Sequence, residues 1–135
     1  MTETHSIDLR VTFGDCDPAG IVFYPRIYGW FDRCFHDWLA GFGGHAAICA
    51  ELGAVGLGLM GAEARFLRPM RPDDRIGVSM TIRDWRSKAL VMDYAVTLGA
   101  QTTARGTETR GLFRAAGPGL VAGEIGPLRA LLVRT

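Results

Sequence analysis

Two carboxylates, Asp15 and Asp17, stand in the most chemically informative stretch of the chain, Phe13-Gly-Asp-Cys-Asp-Pro-Ala-Gly-Ile-Val-Phe-Tyr-Pro25. A positioned carboxylate can attack an acyl carbon or draw a proton from the water that does. Pro25 stands where a helix would open, because a missing N–H costs nothing at the first helical position. The unpaired N–H groups of a helix start polarise an acyl oxygen and stabilise the oxyanion of the transition state. The segment holds no Ser and no His, so a Ser–His–Asp triad is not available there. An Asp-x-Asp pair without clustered His or further carboxylates is a weak metal pattern, since divalent cations take more ligands. Asp15 therefore reads as a residue that shapes the loop. Asp17 precedes Pro18, and both residue types recur in turns for local reasons. Spacing alone leaves turn formation and catalysis open for Asp17.

The elements around this loop follow from hydrophobic period. Ile7, Leu9, Val11 and Phe13 alternate with polar residues and predict a half-buried strand, which Gly14 to Gly20 breaks with turn formers. From Pro25 to about Ala40, residues Ile27, Trp30, Phe31, Cys34, Phe35 and Trp38 recur at helical spacing, with Arg33 and Asp37 opposite. Gly41, Gly43 and Gly44 end that helix, and a shorter one over about Ala46 to Leu52 stops at Gly53. The period then changes to two. A strand is expected around Leu57 to Leu67, another through Ile76, Val78, Met80 and Ile82, and a third through Leu90, Met92, Tyr94, Val96 and Leu98. Asp84 to Lys88 is short enough to be the hairpin between the last two. A weaker strand over Thr103 to Arg114, loosened by Gly106 and Gly111, and a short helix after Pro127 complete the chain. This order favours one α+β domain over residues 1–135, an antiparallel sheet wrapped against one long helix that forms the centre of the core.

Composition narrows the function further. The chain has 135 residues, 48% apolar and 21% charged, with a net charge of +1, which gives no reason to expect nucleic acid or an anionic membrane as partner. Lys88 is the only lysine among the fifteen basic residues. The three cysteines, Cys16, Cys34 and Cys49, are odd in number and form no Cys-x-x-Cys pair, so they read as reduced thiols. The N-terminus has no apolar signal-like core, and no apolar run approaches the ~18 residues of a membrane span. A cytoplasmic location is expected.

Phe13 to Asp32 closely resembles the 4-hydroxybenzoyl-CoA thioesterase family of hotdog proteins, and a thinner similarity continues over Ala64 to Asp74 and Asp84 to Val91. The resemblance implies the hotdog fold and hydrolysis of an acyl-CoA thioester, of aromatic, benzoyl type. It implies that Asp17 is catalytic and that the backbone N–H of Tyr24 polarises the thioester carbonyl. Asp32 matches a position that approaches the acyl pocket, although its place beside Tyr28 at the border of the apolar stripe also suits a surface Asp. Arg86, Ser87 and Lys88, after Trp85, match a basic segment near the coenzyme A phosphates, where charge-assisted hydrogen bonds suit the chemistry. A solvated hairpin tip is the plain alternative. The resemblance further implies a homodimer with active sites at the subunit interface, often paired into a homotetramer, and no metal or redox cofactor.

The remaining polar residues carry less. His36 reads as a partly buried, hydrogen-bonded histidine, while His5 and His45 carry no signal; Gly61 and Glu63 read as the entry of a core strand. One departure concerns the substrate. Where the family is expected to offer a hydroxyl-bearing side chain, this chain has Gly56-Leu57, so Leu57 cannot bond a phenol through its side chain. Benzoyl-CoA is then expected to be tolerated or preferred over its 4-hydroxy analogue. Rival readings are a thioesterase for aliphatic acyl-CoA or acyl carrier protein, and a non-catalytic acyl-CoA-binding protein. A dehydratase or hydratase is disfavoured because no His lies near the Asp17 loop.

Overall fold

The computed structural model describes residues 3–133. The first strand, β1 (His5–Arg10), alternates half-buried and exposed residues as its sequence does. It is shorter than the alternation predicts. Val11 is still buried, but Phe13 is 87% exposed and lies in a single 3-10 turn, Phe13–Asp15. The reason is local: Asp15 Oδ2 accepts both the Thr12 N–H (2.8 Å) and the Thr12 hydroxyl (2.9 Å), which turns the chain out of the sheet.

Helix α1 (Pro25–Ala40) begins on Pro25 and buries Ile27, Trp30, Phe31, Cys34, Phe35, Trp38 and Leu39. At 16 residues it is of modest length, about 24 Å. Helix α2 (His45–Leu52) ends on Gly53, whose φ of 63° is a left-handed cap that glycine adopts without a Cβ penalty. The strands β2 (Gly56–Phe66), β3 (Arg75–Trp85), β4 (Leu90–Leu98) and β5 (Gln101–Ala116) follow, then β6 (Gly119–Gly123) and helix α3 (Gly126–Leu132). All pairings are antiparallel, in the order β1-β3-β4-β5-β2. The tight β3–β4 hairpin closes with Arg86 N–H donating to Ala89 C=O at 2.9 Å.

Two expectations change here. Strand β6 has no clear period, and it forms because β5 outruns its neighbour: β4 pairs with Gln101–Arg110, and β6 takes Leu112–Ala116. Strand β5, expected to be weak because of its glycines, is the longest of the sheet at 16 residues. Gly106 does not loosen it. It pairs with Tyr94 on one side and Ala64 on the other, and a Cβ there would sit 2.6 Å from Phe31 Cζ and 2.8 Å from Glu63 O. The missing side chain lets Phe31 of α1 lie on the sheet and stack on Tyr94, ring centroids 4.7 Å apart.

The strand registers also define two ends. The C-termini of β1 and β2 and the start of β3 share one end; the β3–β4 hairpin and the start of β2 share the other. The length of β3 separates them by about 33 Å. Gly106→Ala should drive Phe31 off the sheet and cost ~1–3 kcal/mol of stability. Urea unfolding checks this, as a lower midpoint at unchanged m-value.

Candidate active site

Asp17 lies at the first of these ends, in a loop that its own hydrogen bonds shape. Its N–H donates to Ile21 C=O (3.0 Å), its C=O accepts from Gly20 N–H (2.8 Å), and its Oδ1 accepts from Ala19 N–H (2.9 Å). Gly20, at φ 80°, takes the left-handed conformation that closes the turn. The loop is then pinned at both ends: Val22 N–H donates to Met70 C=O (2.9 Å), and Phe23 N–H to Asp15 C=O (2.8 Å). Asp15 thus holds the loop with backbone and side chain together, as its sequence context suggests. Asp17 keeps one oxygen, Oδ2, without a protein donor among the described residues.

Tyr24 follows as the N-cap of α1. Its C=O accepts from Ile27 N–H at 3.0 Å, while among the described residues no protein acceptor takes its N–H. Pro25 has no N–H at all, so the Tyr24 N–H is the first donor of the helix start. Asp17, Val22, Tyr24, Phe66, Arg68 and Met70 belong to the wall of one cleft of about 550 Å³. Its aromatic side is formed by Tyr24 against Phe66, ring centroids 6.0 Å apart, with both residues exposed. The residues that carry a free carboxylate oxygen, an unclaimed N–H and an aromatic pair therefore line one cleft.

Cys16 is the other nucleophile beside the loop, and its surroundings keep it a thiol. Burial raises its pKa first, and the charges of Asp15, Asp17 and Asp74 raise it further. Its Sγ points to Thr12 C=O at 3.7 Å. Cys34 is more inert still, pushed up to about 12 by burial.

The other predicted residues lie elsewhere in the subunit. Asp32 is two turns into α1, about 12 Å along the axis from Tyr24. Its side chain is 55% exposed, and Oδ1 accepts from Arg110 Nη2 at 2.8 Å. His36 Nε2 stands 3.4 Å from the same oxygen. Burial lowers the His36 pKa, with Asp32 pulling it back up. Leu57 lies at the start of β2. It is 4% exposed, its side chain packed in the core, its N–H given to His45 Nε2 (3.1 Å) and its C=O to Arg110 Nη1 (3.4 Å). Within the subunit Leu57 has no face on the Asp17 cleft. Arg86, Ser87 and Lys88 are exposed at the β3–β4 hairpin, the end opposite Asp17. Arg86 pairs with Asp84 at 3.1 Å, Ser87 C=O accepts from Ile125 N–H, and Lys88 has no ion-pair partner among the described residues.

Sequence reasoning missed Glu108 and Arg110, both buried, and gave His45 no role. The available signal was the period of two: residues 104, 106, 108, 110 and 112 share the inward face of β5, so a Glu and an Arg fall on an apolar row. Among the described residues no cluster of His, Cys, Asp and Glu could hold a metal ion. Asp15→Ala should free the Thr12 donors and unpin the loop, lowering stability by ~1 kcal/mol; thermal unfolding reads it as a lower Tm.

Comparison with known proteins bears on the family of the chain. Residues 11–122 match the family model of the thioesterase-like superfamily. The chain is 30% identical over 99 residues to the 4-hydroxybenzoyl-CoA thioesterase of Pseudomonas sp. (strain CBS-3), covering 72% of this chain and 70% of that protein. A crystal structure of a 4-hydroxybenzoyl CoA thioesterase mutant complexed with 4-hydroxybenzoyl CoA superposes with a TM-score of 0.82 at 30% identity, over 94% of this chain and 96% of that one. A gentisyl-coenzyme A thioesterase superposes with a TM-score of 0.78 at 27% identity, over 93% and 99%. With the family model spanning the Asp17 loop, the helix behind it and all the long strands of the sheet, the chain belongs to the thioesterase-like superfamily.

Proposed function

We propose that this hotdog-type chain is an acyl-CoA thioesterase that hydrolyses an aromatic acyl-CoA to the free acid and coenzyme A. The observation that carries the reading is the pairing, in one cleft, of the free Oδ2 of Asp17 with the unclaimed N–H of Tyr24. The thioester carbonyl oxygen accepts from Tyr24 N–H, which stabilises the negative charge that develops as the carbon becomes tetrahedral. Asp17 either attacks that carbon, expelling the thiolate and leaving an anhydride that water cleaves, or takes the proton of the attacking water. Both routes end in acid and thiol, and neither needs a metal or redox group. The aromatic wall of Tyr24 and Phe66 and the aromatic acyl groups in the names of two similar proteins support an aromatic substrate.

The active unit in this reading is a homodimer. Arg86 and Lys88 are assigned to the coenzyme A phosphates, yet they stand about 33 Å from the Asp17 end of their own sheet. Strand β2 is a sheet edge of 11 residues with Leu59 and Met60 exposed, an arrangement that invites a second strand. Antiparallel pairing of two β2 edges brings the hairpin end of one copy to the Asp17 end of the other. Each site then draws its carboxylate and its phosphate contacts from different subunits, and such dimers can pair into a homotetramer. The assignment to the cytoplasm, where thiols stay reduced, fits the three free cysteines.

Thiol release from a panel of aromatic and aliphatic acyl-CoAs and acyl carrier proteins tests the function; no turnover on any of them would overturn it. Asp17→Asn, which keeps shape but is a poor nucleophile and base, should lower kcat at least ~10²-fold. Binding of a non-hydrolysable acyl-CoA analogue should survive, and near-normal turnover would remove Asp17 from the mechanism. Lys88→Ala should raise KM with little change in kcat, because a phosphate contact far from the reacting carbon serves ground and transition states alike. The effect should vanish with a truncated pantetheine thioester that lacks the nucleotide.

A further inference from the structure

The face of the sheet turned away from α1 carries charge that the reaction does not use. Residues 104, 106, 108, 110 and 112 face inward on β5, so Arg105 and Thr107 face outward. The register sets Arg105 directly opposite Arg65 of β2, and Thr107 between Asp93 of β4 and Glu63 of β2. Both arginines are exposed, and among the described residues neither guanidinium has an ion-pair partner. Like charges directly opposite each other on one face of an antiparallel pair destabilise it. The pair is therefore a cost that the fold carries.

Arg65 and Arg105 wall a cleft of about 570 Å³, together with Arg83, Asp93, Thr107 and Glu63. Arg83 is held in place: its Nε donates to Asp93 Oδ2 (2.9 Å) and its Nη2 to Oδ1 (2.6 Å). The Thr107 hydroxyl accepts from the same Nη2 (3.2 Å) and donates to Asp93 Oδ1 (2.9 Å). Asp93 is thus committed to Arg83. Glu63, opposite Thr107, adds its field to Arg83 as well. Three guanidinium groups and two carboxylates line the cleft, which leaves one excess positive charge on the Arg65–Arg105 side.

Dimer formation does not remove that charge. Glu63 is the single carboxylate of β2 and lies in its second half. In the homodimer reading, antiparallel pairing of two β2 edges sets the start of one strand, Gly56-Leu57-Gly58-Leu59, beside Arg65 of the other. No residue of that start is charged.

We propose that Arg65 and Arg105 form a binding site for a phosphate-type anion on the outward face, in a cleft that shares no residue with that of Asp17. A tetrahedral oxyanion has enough oxygens to accept from two guanidinium forks at once, bidentately from each. The bound anion replaces repulsion across the strands with charge-assisted contacts on both. Inorganic phosphate and the phosphate monoester of a nucleotide share this chemistry.

The test is thermal unfolding at low ionic strength, with millimolar phosphate set against sodium chloride of equal ionic strength. Phosphate should raise the wild-type Tm by at least ~3 °C, as a ligand does when it binds the native state alone and stands well above its Kd. Arg65→Gln and Arg105→Gln should each lose most of that rise. Without phosphate, both variants should unfold ~1–3 °C above the wild type, because the repulsion is gone. Arg86→Ala/Lys88→Ala, at the hairpin, should keep the phosphate response. Titration calorimetry with inorganic phosphate, AMP and adenosine separates the sources. Tighter binding of AMP than of phosphate identifies a nucleotide, binding of phosphate at least as tight identifies the free ion, and adenosine should not bind. No phosphate-dependent rise in the wild type, or an equal rise in Arg65→Gln and Arg105→Gln, would overturn the site. So would variants less stable than the wild type without phosphate, since the pair would then hold the fold rather than strain it. Loss of the response in the hairpin variant alone would move the anion to the coenzyme A contacts and sink the proposal. None of these readouts involves turnover, so they succeed or fail independently of the acyl-CoA panel.

Discussion

The close approach of Phe31 to the backbone at Gly106 is the contact on which the remaining geometry rests. Helix α1 can lie flat on the sheet only where the strand beneath it presents no side chain, and there Phe31 fills the space and stacks on Tyr94. That seating sets the height and direction of the helix. The direction in turn decides where its first N–H emerges, and so where the loop before it must end. Protein interiors do not deform smoothly, so a shift of the helix by the width of a methyl group would be felt at Tyr24. The place of the unclaimed Tyr24 N–H is in this sense a consequence of a packing contact seven residues away.

The loop divides its two carboxylates between different physical tasks. Asp15 gives one carboxylate oxygen to Thr12 and its carbonyl to Phe23, and its other oxygen lies 4.0 Å from Arg26 Nε, so it holds the chain. Asp17 gives one oxygen to the turn and keeps the other for solvent or substrate. Two residues of the same type, two positions apart, differ because one faces the strand exit and the other the cleft. The thiol between them stays protonated, since burial and the surrounding carboxylates all oppose a thiolate.

A second polar centre sits deeper and obeys another logic. Around Arg110, every buried donor and acceptor is paired, and no buried side-chain polar atom in the described structure lacks a partner. Such a network gains its strength from the low local dielectric and loses it at once if a member is removed. It joins the inner face of the sheet to the middle of α1 through Asp32 and, through the Leu57 carbonyl, to the start of β2.

Local order was legible in the sequence wherever the cause was local. The aromatic row of α1, its start at Pro25, the stop of α2 at Gly53 and the alternation of β3 and β4 all follow from period and backbone preference, and each appears within three residues of its expected place. The Asp17 loop was legible too, since its hydrogen bonds join residues close in sequence. Tertiary structure decided the rest. The exit of the chain at Phe13, where a strand period seemed to continue, depends on a side-chain bond that period cannot register. The use of Gly106 as a seat for Phe31 joins residues 75 positions apart, so the glycine looked like a weakness. Strand β6 exists because β5 extends past β4, a matter of register. Glu108 and Arg110 went unread because the partners that make their burial tolerable, Asp32 and Phe35, come from a distant helix. The sequence by itself determined which residues could react and the elements that carry them; only the packing of helix on sheet decided which of those residues meet.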